Sequence, residues 1–202
     1  MENLKKPFIK FLIECGALKF GSFVLKSGKP SPFFIDIGQI STGKELEFMG
    51  DCLAHALKWS YPDVTMLFGP AYKGIPMAAV VAASYWRKYQ KDLAVFYDRK
   101  EKKSHGEGGS FIGKMPKPED KIVIIDDVFT DGGTKIEAFK ALESTFKVKP
   151  LGVLVTVNRS KPNNAFGFPL CAIVNLLDIR DYLSENDEKN ALLIDKFMEG
   201  NA

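Results

Sequence analysis

Apolar residues at helical spacing open the chain. Phe8, Phe11, Leu12 and Cys15 recur at intervals of three and four positions. This pattern predicts an amphipathic helix whose apolar face packs on a core, and Gly16 supplies a stop signal. Between this helix and the next, residues 23–25 and 33–37 predict short strands around a turn at residues 27–32.

A capping signal followed by a periodic apolar face predicts the second helix. Thr42 and Glu45 have the spacing of a capping box, in which each side chain accepts a hydrogen bond from the other residue's backbone N–H. The predicted helix ends before Pro62, and its apolar face consists of Leu46, Met49, Leu53 and Leu57.

From residue 64 onward, apolar runs of strand length alternate with helical segments. This alternation predicts an α/β fold, with helices on both faces of a mainly parallel sheet. Strands are expected at residues 64–68, 93–97, 121–125, 151–157 and 172–177. Crossover helices are expected at 75–89 and 134–146, and a closing helix at 182–198.

Composition narrows the class of protein. With 202 residues and 46% hydrophobic side chains, the chain is expected to form one domain, 1–202, around a single core. It lacks a long apolar stretch and a signal-peptide pattern, which predicts a soluble, cytoplasmic protein without a membrane partner. A net charge of +3 is too small to predict a nucleic-acid partner. The three cysteines form no metal-binding pair and are expected to be reduced.

The strongest chemical signal lies in residues 122–134, where an apolar strand leads into two acids, a Thr/Gly loop and a helix. Ligands of open α/β sheets bind at the carboxyl ends of the strands, where this loop must lie. The backbone N–H groups of residues 130–134 and the helix start can hold a phosphate. Asp126 and Asp127 can hold ribose hydroxyls. The alternative is an ordinary strand–turn–helix with acidic turn residues.

A second signal is the long segment 98–120, which is rich in glycine and charge but has no apolar periodicity. Loops of this length in compact domains are typically lids or binding loops. Other phosphate-binding classes are disfavoured, because the chain has no G-x-x-x-x-G-K-[ST] motif and no complete G-x-G-x-x-G motif.

Residues 126–134 resemble the phosphoribosyl pyrophosphate (PRPP) motif of type I phosphoribosyltransferases. Residues 26–34, 69–76 and 98–109 are similar, in order and spacing, to segments of bacterial orotate phosphoribosyltransferases. The resemblance implies the type I phosphoribosyltransferase fold, with about residues 1–40 as a hood over the base site and 98–118 as a mobile catalytic loop. Asp131 stands where that family more often has a small neutral residue, so its side chain is expected to point outward.

The reaction implied by the resemblance is transfer of ribose 5-phosphate from PRPP to orotate. The products are orotidine 5'-monophosphate and pyrophosphate, in the de novo pyrimidine (UMP) pathway. Mg2+ is expected as cofactor, held mainly through PRPP rather than by a protein metal site. The ribose gains positive charge as the pyrophosphate leaves, so cations are needed around the leaving group. The resemblance also implies a homodimer in which Lys103 and His105 reach the neighbouring subunit's site.

The resemblance assigns individual residues to the substrates. PRPP contacts are expected from Lys26, Tyr72, Lys73, Arg99, Lys100, Lys103, His105, Asp126, Asp127, Val128, Phe129, Thr130, Asp131, Gly132, Gly133 and Thr134. Catalytic roles among these are expected for Lys26, Lys73, Arg99, Lys100, Lys103, His105, Asp126 and Asp127. Orotate is a flat ring with a carboxylate, which calls for an apolar face and a fixed cation. Its contacts are expected from Lys26, Phe33, Phe34, Thr130 and Arg159.

Several alternatives stay open at this point. Residues 99–105 could be a solvated charged loop, residues 72–73 a plain turn, and Arg159 a surface arginine. One of Phe33 and Phe34 must point away from the other in an extended strand and could belong to the core. The acceptor could be another base. A different class of protein, a non-catalytic regulator that senses PRPP or binds RNA, would share the phosphate loop.

Overall fold

Strands and helices alternate along most of the chain. The computed structural model describes residues 1–25, 28–100, 110–160 and 167–200. The strands are β1 (Leu18–Val24), β2 (Pro30–Ile35), β3 (Met66–Phe68), β4 (Ala94–Asp98), β5 (Phe111–Gly113), β6 (Ile122–Phe129), β7 (Gly152–Asn158) and β8 (Leu170–Asn175). The helices are α1 (Glu2–Glu14), α2 (Gly43–Ser60), α3 (Gly74–Tyr89), α4 (Gly133–Phe146), α5 (Leu176–Asn186) and α6 (Glu188–Glu199).

The main sheet has the strand order β5-β4-β3-β6-β7-β8. Its neighbouring pairs are parallel, apart from the antiparallel pair of β4 and β5 at one edge. The α/β fold with a mainly parallel sheet, predicted from the alternating pattern, is therefore confirmed. Because the parallel strands share one direction, the loops that follow β3, β4, β6 and β7 meet at the same edge of the sheet.

Two apolar clusters cover the two faces of the sheet, and strand β6 contributes to both by alternation. Val123 and Ile125 are fully buried in the larger cluster, together with residues of α1, α2, α3, α5 and α6. Ile122 and Ile124 are fully buried in the smaller cluster, beneath Phe139 and Leu142 of α4. Because successive side chains of a strand point to opposite faces of the sheet, the same alternation determines which helices each side chain at the end of β6 lies against.

The N-terminal segment adds a small antiparallel hairpin beside the main sheet. Strands β1 and β2 pair from Leu18–Ile35 to Val24–Pro30, and a short 3-10 helix, Ile37–Gln39, follows. Helix α6 packs against β2, so the end of the described chain rests on the hairpin. The strand predicted at residues 23–25 is longer in the structure, where it begins at Leu18. Its first part was not predicted from the sequence, because the small residues Gly21 and Ser22 interrupt the apolar pattern.

Helix caps determine where several elements begin and end. The predicted capping box is confirmed, since Thr42 and Glu45 exchange hydrogen bonds with each other's backbone at the start of α2. The prediction of one closing helix is wrong. Asn175 and Asp178 form a second capping box that starts α5 at Leu176, and Asp187 ends α5 and caps α6. The predicted strand at 172–177 consequently ends at Asn175.

The segment 98–120 was expected to be a loop throughout, which is wrong for its second part. Phe111–Gly113 forms the edge strand β5, with Asp98 paired to Phe111. The strand is only 3 residues long, too short to show a period of two. Within the described residues, no helix is long and apolar enough to cross a membrane.

Candidate active site

The edge formed by the carboxyl ends of β3, β4, β6 and β7 collects most of the described residues that the sequence singled out. The turn 69–73 follows β3, Arg99 and Lys100 follow β4, the loop 130–134 follows β6, and Arg159 follows β7. Lys26, Lys103 and His105 lie outside the described residues. So does the central part of the predicted catalytic loop, residues 101–109.

The two acids of the motif are the fifth and sixth residues of β6 and have separate cationic partners. Asp126 continues the register of Ile124, on the face covered by α4, and its Oδ2 lies 2.7 Å from Lys135 Nζ. Asp127 continues the register of Ile125, and its Oδ2 lies 3.2 Å from Lys73 Nζ. Two adjacent carboxylates repel each other unless each has a partner. Strand alternation directs the two side chains to different faces of the sheet, and each pairs with its own lysine.

Asp126 is the more enclosed of the two acids. Its side chain is 14% exposed, against 22% for Asp127. Burial raises the pKa of Asp126 above its ordinary value; Lys135 counteracts this shift, whereas the neighbouring Asp127 adds to it. The Asp126 Oδ1 atom accepts the Asp127 backbone N–H at 2.9 Å. Asp126 is thus held by the protein on both oxygens.

Lys73 bridges the main sheet and the N-terminal segment. Its Nζ lies 3.1 Å from Oδ1 of Asp36, next to the 3-10 helix, and also contacts Asp127. Partial burial would lower the pKa of Lys73, but its contacts with Asp36 and Asp127 raise that pKa above its ordinary value. The side chain is 49% exposed, so an anion can reach the ammonium group. Lys73 is therefore a cation available to a charged ligand.

The turn before α3 is tightly packed. A Cβ atom on Gly74 would lie 2.8 Å from the Ile125 carbonyl oxygen, so only glycine lets the turn approach β6 this closely. The Ala71–Tyr72 peptide bond is cis, and the Ala71 N–H donates to Asp98 Oδ1 at 2.7 Å. Tyr72 is 70% exposed, with its ring 5.7 Å from Lys100 Nζ.

The loop after β6 turns directly into α4. Gly132 has φ of 83°, a left-handed conformation that favours glycine, and the helix begins at Gly133. Thr130, Asp131, Gly133 and Thr134 are exposed, whereas the Phe129 ring is fully buried. Any contact of Phe129 with a ligand must therefore come from its backbone. The backbone N–H groups at the start of α4 form a site suited to an anion.

Asp131 is exposed, as expected, but its carboxylate turns back onto the loop. Its Oδ1 accepts the Gly133 backbone N–H at 3.1 Å. The Asp131 carboxylate thus already accepts a hydrogen bond from one of the backbone N–H groups of the predicted phosphate loop.

Arg159 is clamped between two aromatic rings. Its guanidinium carbon lies 4.6 Å from the Phe33 ring centroid and 5.0 Å from that of Phe197, and Nη2 donates to Ser31 Oγ at 2.8 Å. Burial lowers the pKa of Arg159 to about 10, so the side chain is still cationic at neutral pH. The interpretation of Arg159 as an ordinary surface arginine does not fit these contacts.

Phe33 and Phe34 point in opposite directions, as the alternation of a strand requires. Phe33 is fully buried beneath Arg159, whereas Phe34 is 38% exposed and stacks on Phe23, with 5.6 Å between ring centroids. Phe33 therefore supports the arginine from below. Phe34 lies on the other face of β2 and is not brought to Arg159.

Sequence reasoning missed four residues that organise this edge, namely Asp36, Asp98, Lys135 and Phe197. A signal for Lys135 was present, because it shares an apolar helical face with Phe139 and Leu142 and a lysine there must find a buried partner. The other three gave no local signal. Within the described part of the chain, no group of three or more His, Cys, Asp and Glu could hold a metal ion.

Comparisons with known proteins agree with this geometry. The phosphoribosyl transferase domain family matches residues 45–164. An orotate phosphoribosyltransferase of Clostridium botulinum is 36% identical over 206 residues, covering 96% of this chain and 92% of the relative. One from Pseudomonas putida is 39% identical over 199 residues, covering 93% and 92%.

A solved structure gives the same result. The orotate phosphoribosyltransferase of Francisella tularensis has a TM-score of 0.80 and 32% identity, with 96% of this chain and 94% of that chain covered. This level of sequence identity and coverage supports membership of the same family as well as a shared fold. The chain therefore belongs to the phosphoribosyltransferase family and, within it, to the orotate phosphoribosyltransferases.

Proposed function

We propose that this chain is an enzyme that transfers ribose 5-phosphate from PRPP to orotate, yielding orotidine 5'-monophosphate and pyrophosphate for pyrimidine biosynthesis. One observation carries the proposal. Strands β6 and β7 are paired at their ends, and the Arg159 N–H donates to the Phe129 carbonyl at 2.7 Å. This bond holds a cation suited to the orotate carboxylate directly beside the loop suited to the ribose 5-phosphate.

Each half of the substrate pair has matching chemistry at this edge. The loop 130–134 offers backbone donors to the 5-phosphate, and Asp126 and Asp127 offer acceptors to the ribose hydroxyls. Both carboxylates also stabilise the positive charge that develops on the ribose as its bond to pyrophosphate breaks. Arg159 pairs with the orotate carboxylate, which orients the attacking ring nitrogen toward the ribose carbon.

Cations are proposed to meet the departing pyrophosphate. Lys73, Arg99 and Lys100 are described at the same edge, and Lys26, Lys103 and His105 are proposed to join them. The Arg99 backbone N–H donates to the Ser110 carbonyl oxygen at 2.8 Å, which connects the start of the loop to the residue before β5. Closure of the loop would exclude water and strengthen each charge interaction.

We propose that Mg2+ enters the site with PRPP, as is general among phosphoribosyltransferases. The residues present fit this arrangement, since Asp126 and Asp127 are each paired with a lysine and magnesium prefers oxygen ligands that the pyrophosphate supplies. When bound, the ion neutralises part of the leaving group's charge.

The direct test is the loss of orotate absorbance when purified protein is mixed with orotate, PRPP and Mg2+. Adenine, hypoxanthine and uracil serve as alternative acceptors in parallel reactions. Orotate consumption that requires Mg2+ supports the proposal. Transfer to another base alone would retain the phosphate half of the site and refute the acceptor. No transfer to any of the four would favour a regulator that binds PRPP.

We also propose a cytoplasmic location. Free thiols at Cys15, Cys52 and Cys171 suit a reducing compartment.

We further propose a homodimer in which Lys103 and His105 act in the neighbouring subunit's site. The shared site can be tested by complementation between Lys103→Ala and Asp127→Asn. Each variant alone should be inactive, whereas mixed dimers should regain activity because one of their two sites has both residues. Sites built within one subunit would give no recovery.

A further inference from the structure

Lys135 is a buried lysine next to the proposed ribose-binding acids, and neither the motif nor the reaction gives it a role. The residue is 8% exposed and lies in the first turn of α4. Its Nζ is 2.7 Å from Asp126 Oδ2 and donates to the Val128 carbonyl at 3.0 Å. The ammonium group therefore connects the helix after the phosphate loop to the strand that carries the acids.

Stability alone is a weak reason for this pair. Taking a lysine and a carboxylate out of water costs free energy that their attraction often fails to recover, and well-packed apolar residues of similar size are frequently as stable. What a buried pair does provide is a fixed geometry. Here it fixes one acid relative to the start of α4.

The partner of the second acid behaves differently. Lys73, which contacts Asp127, is 49% exposed and is shared with Asp36, whereas the Lys135 side chain is 9% exposed. If pyrophosphate draws Lys73 away from Asp127, Asp126 keeps its own lysine. One acid thus has an exposed cation as its partner and the other a buried one.

We propose that Lys135 is a positioning residue, whose ammonium group holds the Asp126 carboxylate at a fixed place relative to the phosphate loop. The ribose-binding acid and the phosphate-binding loop then act as one rigid unit toward PRPP. The inference rests on the proposed phosphoribosyl transfer, because it assigns Lys135 to the PRPP half of the same site.

The charge of Asp126 provides a specific signature of this role. The charged groups near Asp126 are Lys135 from α4, Asp127 from β6, and Lys73 beyond Asp127. The neighbouring strands β3 and β7 contribute no titratable side chain. Burial and Asp127 both raise the pKa of Asp126, and Lys135 lowers it. Removal of Lys135 should therefore raise the pKa of Asp126 further, so that, as the pH falls, its carboxylate becomes protonated at a higher pH.

The test compares Lys135→Met with Lys140→Met, which changes an exposed lysine of the same helix. In Lys135→Met, kcat/KM for PRPP should fall about 100-fold, as small misplacements of catalytic groups can cause. The acid limb of its pH profile should move to higher pH. The orotate KM should change little, because Arg159 follows β7 and does not contact Lys135 or Asp126. Lys140→Met should match the wild type in each respect.

Two further variants keep the test decisive if Lys135→Met folds poorly. Lys135→Arg preserves the charge and should restore the acid limb toward its wild-type position. The double change Asp126→Asn with Lys135→Met leaves no unpaired buried charge and should fold, yet remain poorly active. A Lys135→Met protein with wild-type PRPP kinetics, or an acid limb that stays in place while kcat/KM falls, would overturn the positioning role.

Failure of the proposed function gives a distinct result. If the wild-type protein transfers ribose 5-phosphate to no base, the transfer reaction is refuted. The role of Lys135 is then judged by calorimetry of PRPP with Mg2+. Weaker binding to Lys135→Met than to Lys140→Met would still support positioning, and equal binding would refute it.

Discussion

Replacement of Arg159 by lysine tests the acceptor half of the site. Arginine offers a planar fork to a carboxylate, whereas lysine offers a single ammonium group. The change removes one of two charge-assisted hydrogen bonds and the stacking on Phe33 and Phe197, whose ring centroids lie 4.6 and 5.0 Å from the guanidinium carbon. The stacking is present with and without orotate, so its loss loosens the side chain, whereas the lost hydrogen bond to a charged group removes about 1.5 to 3 kcal/mol of orotate binding. The orotate KM should therefore rise about 10- to 150-fold.

The assay is the initial rate of orotate absorbance loss at saturating PRPP and Mg2+, with orotate varied. The PRPP KM should stay near its wild-type value, because the phosphate loop is unchanged. Arg87→Lys is the matched control, since Arg87 of α3 pairs with Glu47 and Asp51 of α2, outside the site. An orotate KM equal to that of the control would refute the assignment of Arg159 to the orotate carboxylate.

Three further changes test other parts of the molecule. Asp126→Asn combined with Asp127→Asn should abolish turnover while circular dichroism shows a retained fold; measurable orotate transfer would remove both acids from the mechanism. Asp131→Ser should lower the PRPP KM about fivefold, because a nearby like charge costs about 1 kcal/mol; an unchanged or higher KM would show that the Asp131 carboxylate does not compete with the phosphate. Thr42→Ala should lower the stability by about 1 kcal/mol through loss of the cap on α2. In thermal unfolding that loss corresponds to a decrease in Tm of roughly 2–4 °C, whereas Thr145→Ala, at an exposed position late in α4, should change Tm little.

The sequence predicted those features that depend on local pattern. Alternating apolar runs predicted the parallel sheet, and the strand–loop–helix order placed the acids and the phosphate loop at its carboxyl edge. Thr42 and Glu45 predicted a cap from spacing alone, and the structure has it. Each of these features arises from contacts between residues that are close in the chain, or from a period that a short window displays.

Features that depend on packing between distant segments were not predictable in this way. The clamp on Arg159 joins Ser31 and Phe33 of β2 to Phe197 of α6, segments at opposite ends of the chain. The contact of Asp36 with Lys73 likewise joins the N-terminal segment to the main sheet. The break between α5 and α6 was missed because residues 184–190 are all polar, so no apolar pattern marks the boundary that Asp187 forms there.

The two halves of the site differ in how they are built, and this difference affects how the protein can diversify. The proposed contacts to the ribose and its 5-phosphate come from one continuous stretch, β6 to α4, in which a single insertion would disturb several of them. The acceptor half is assembled at the Arg159 clamp from β2, β7 and α6. Substitutions in β2 or α6 are therefore expected to reshape the proposed base site without altering the proposed sugar-phosphate contacts. On this assignment, acceptor preference can change through β2 and α6 alone, which makes these two segments the natural targets for redesign.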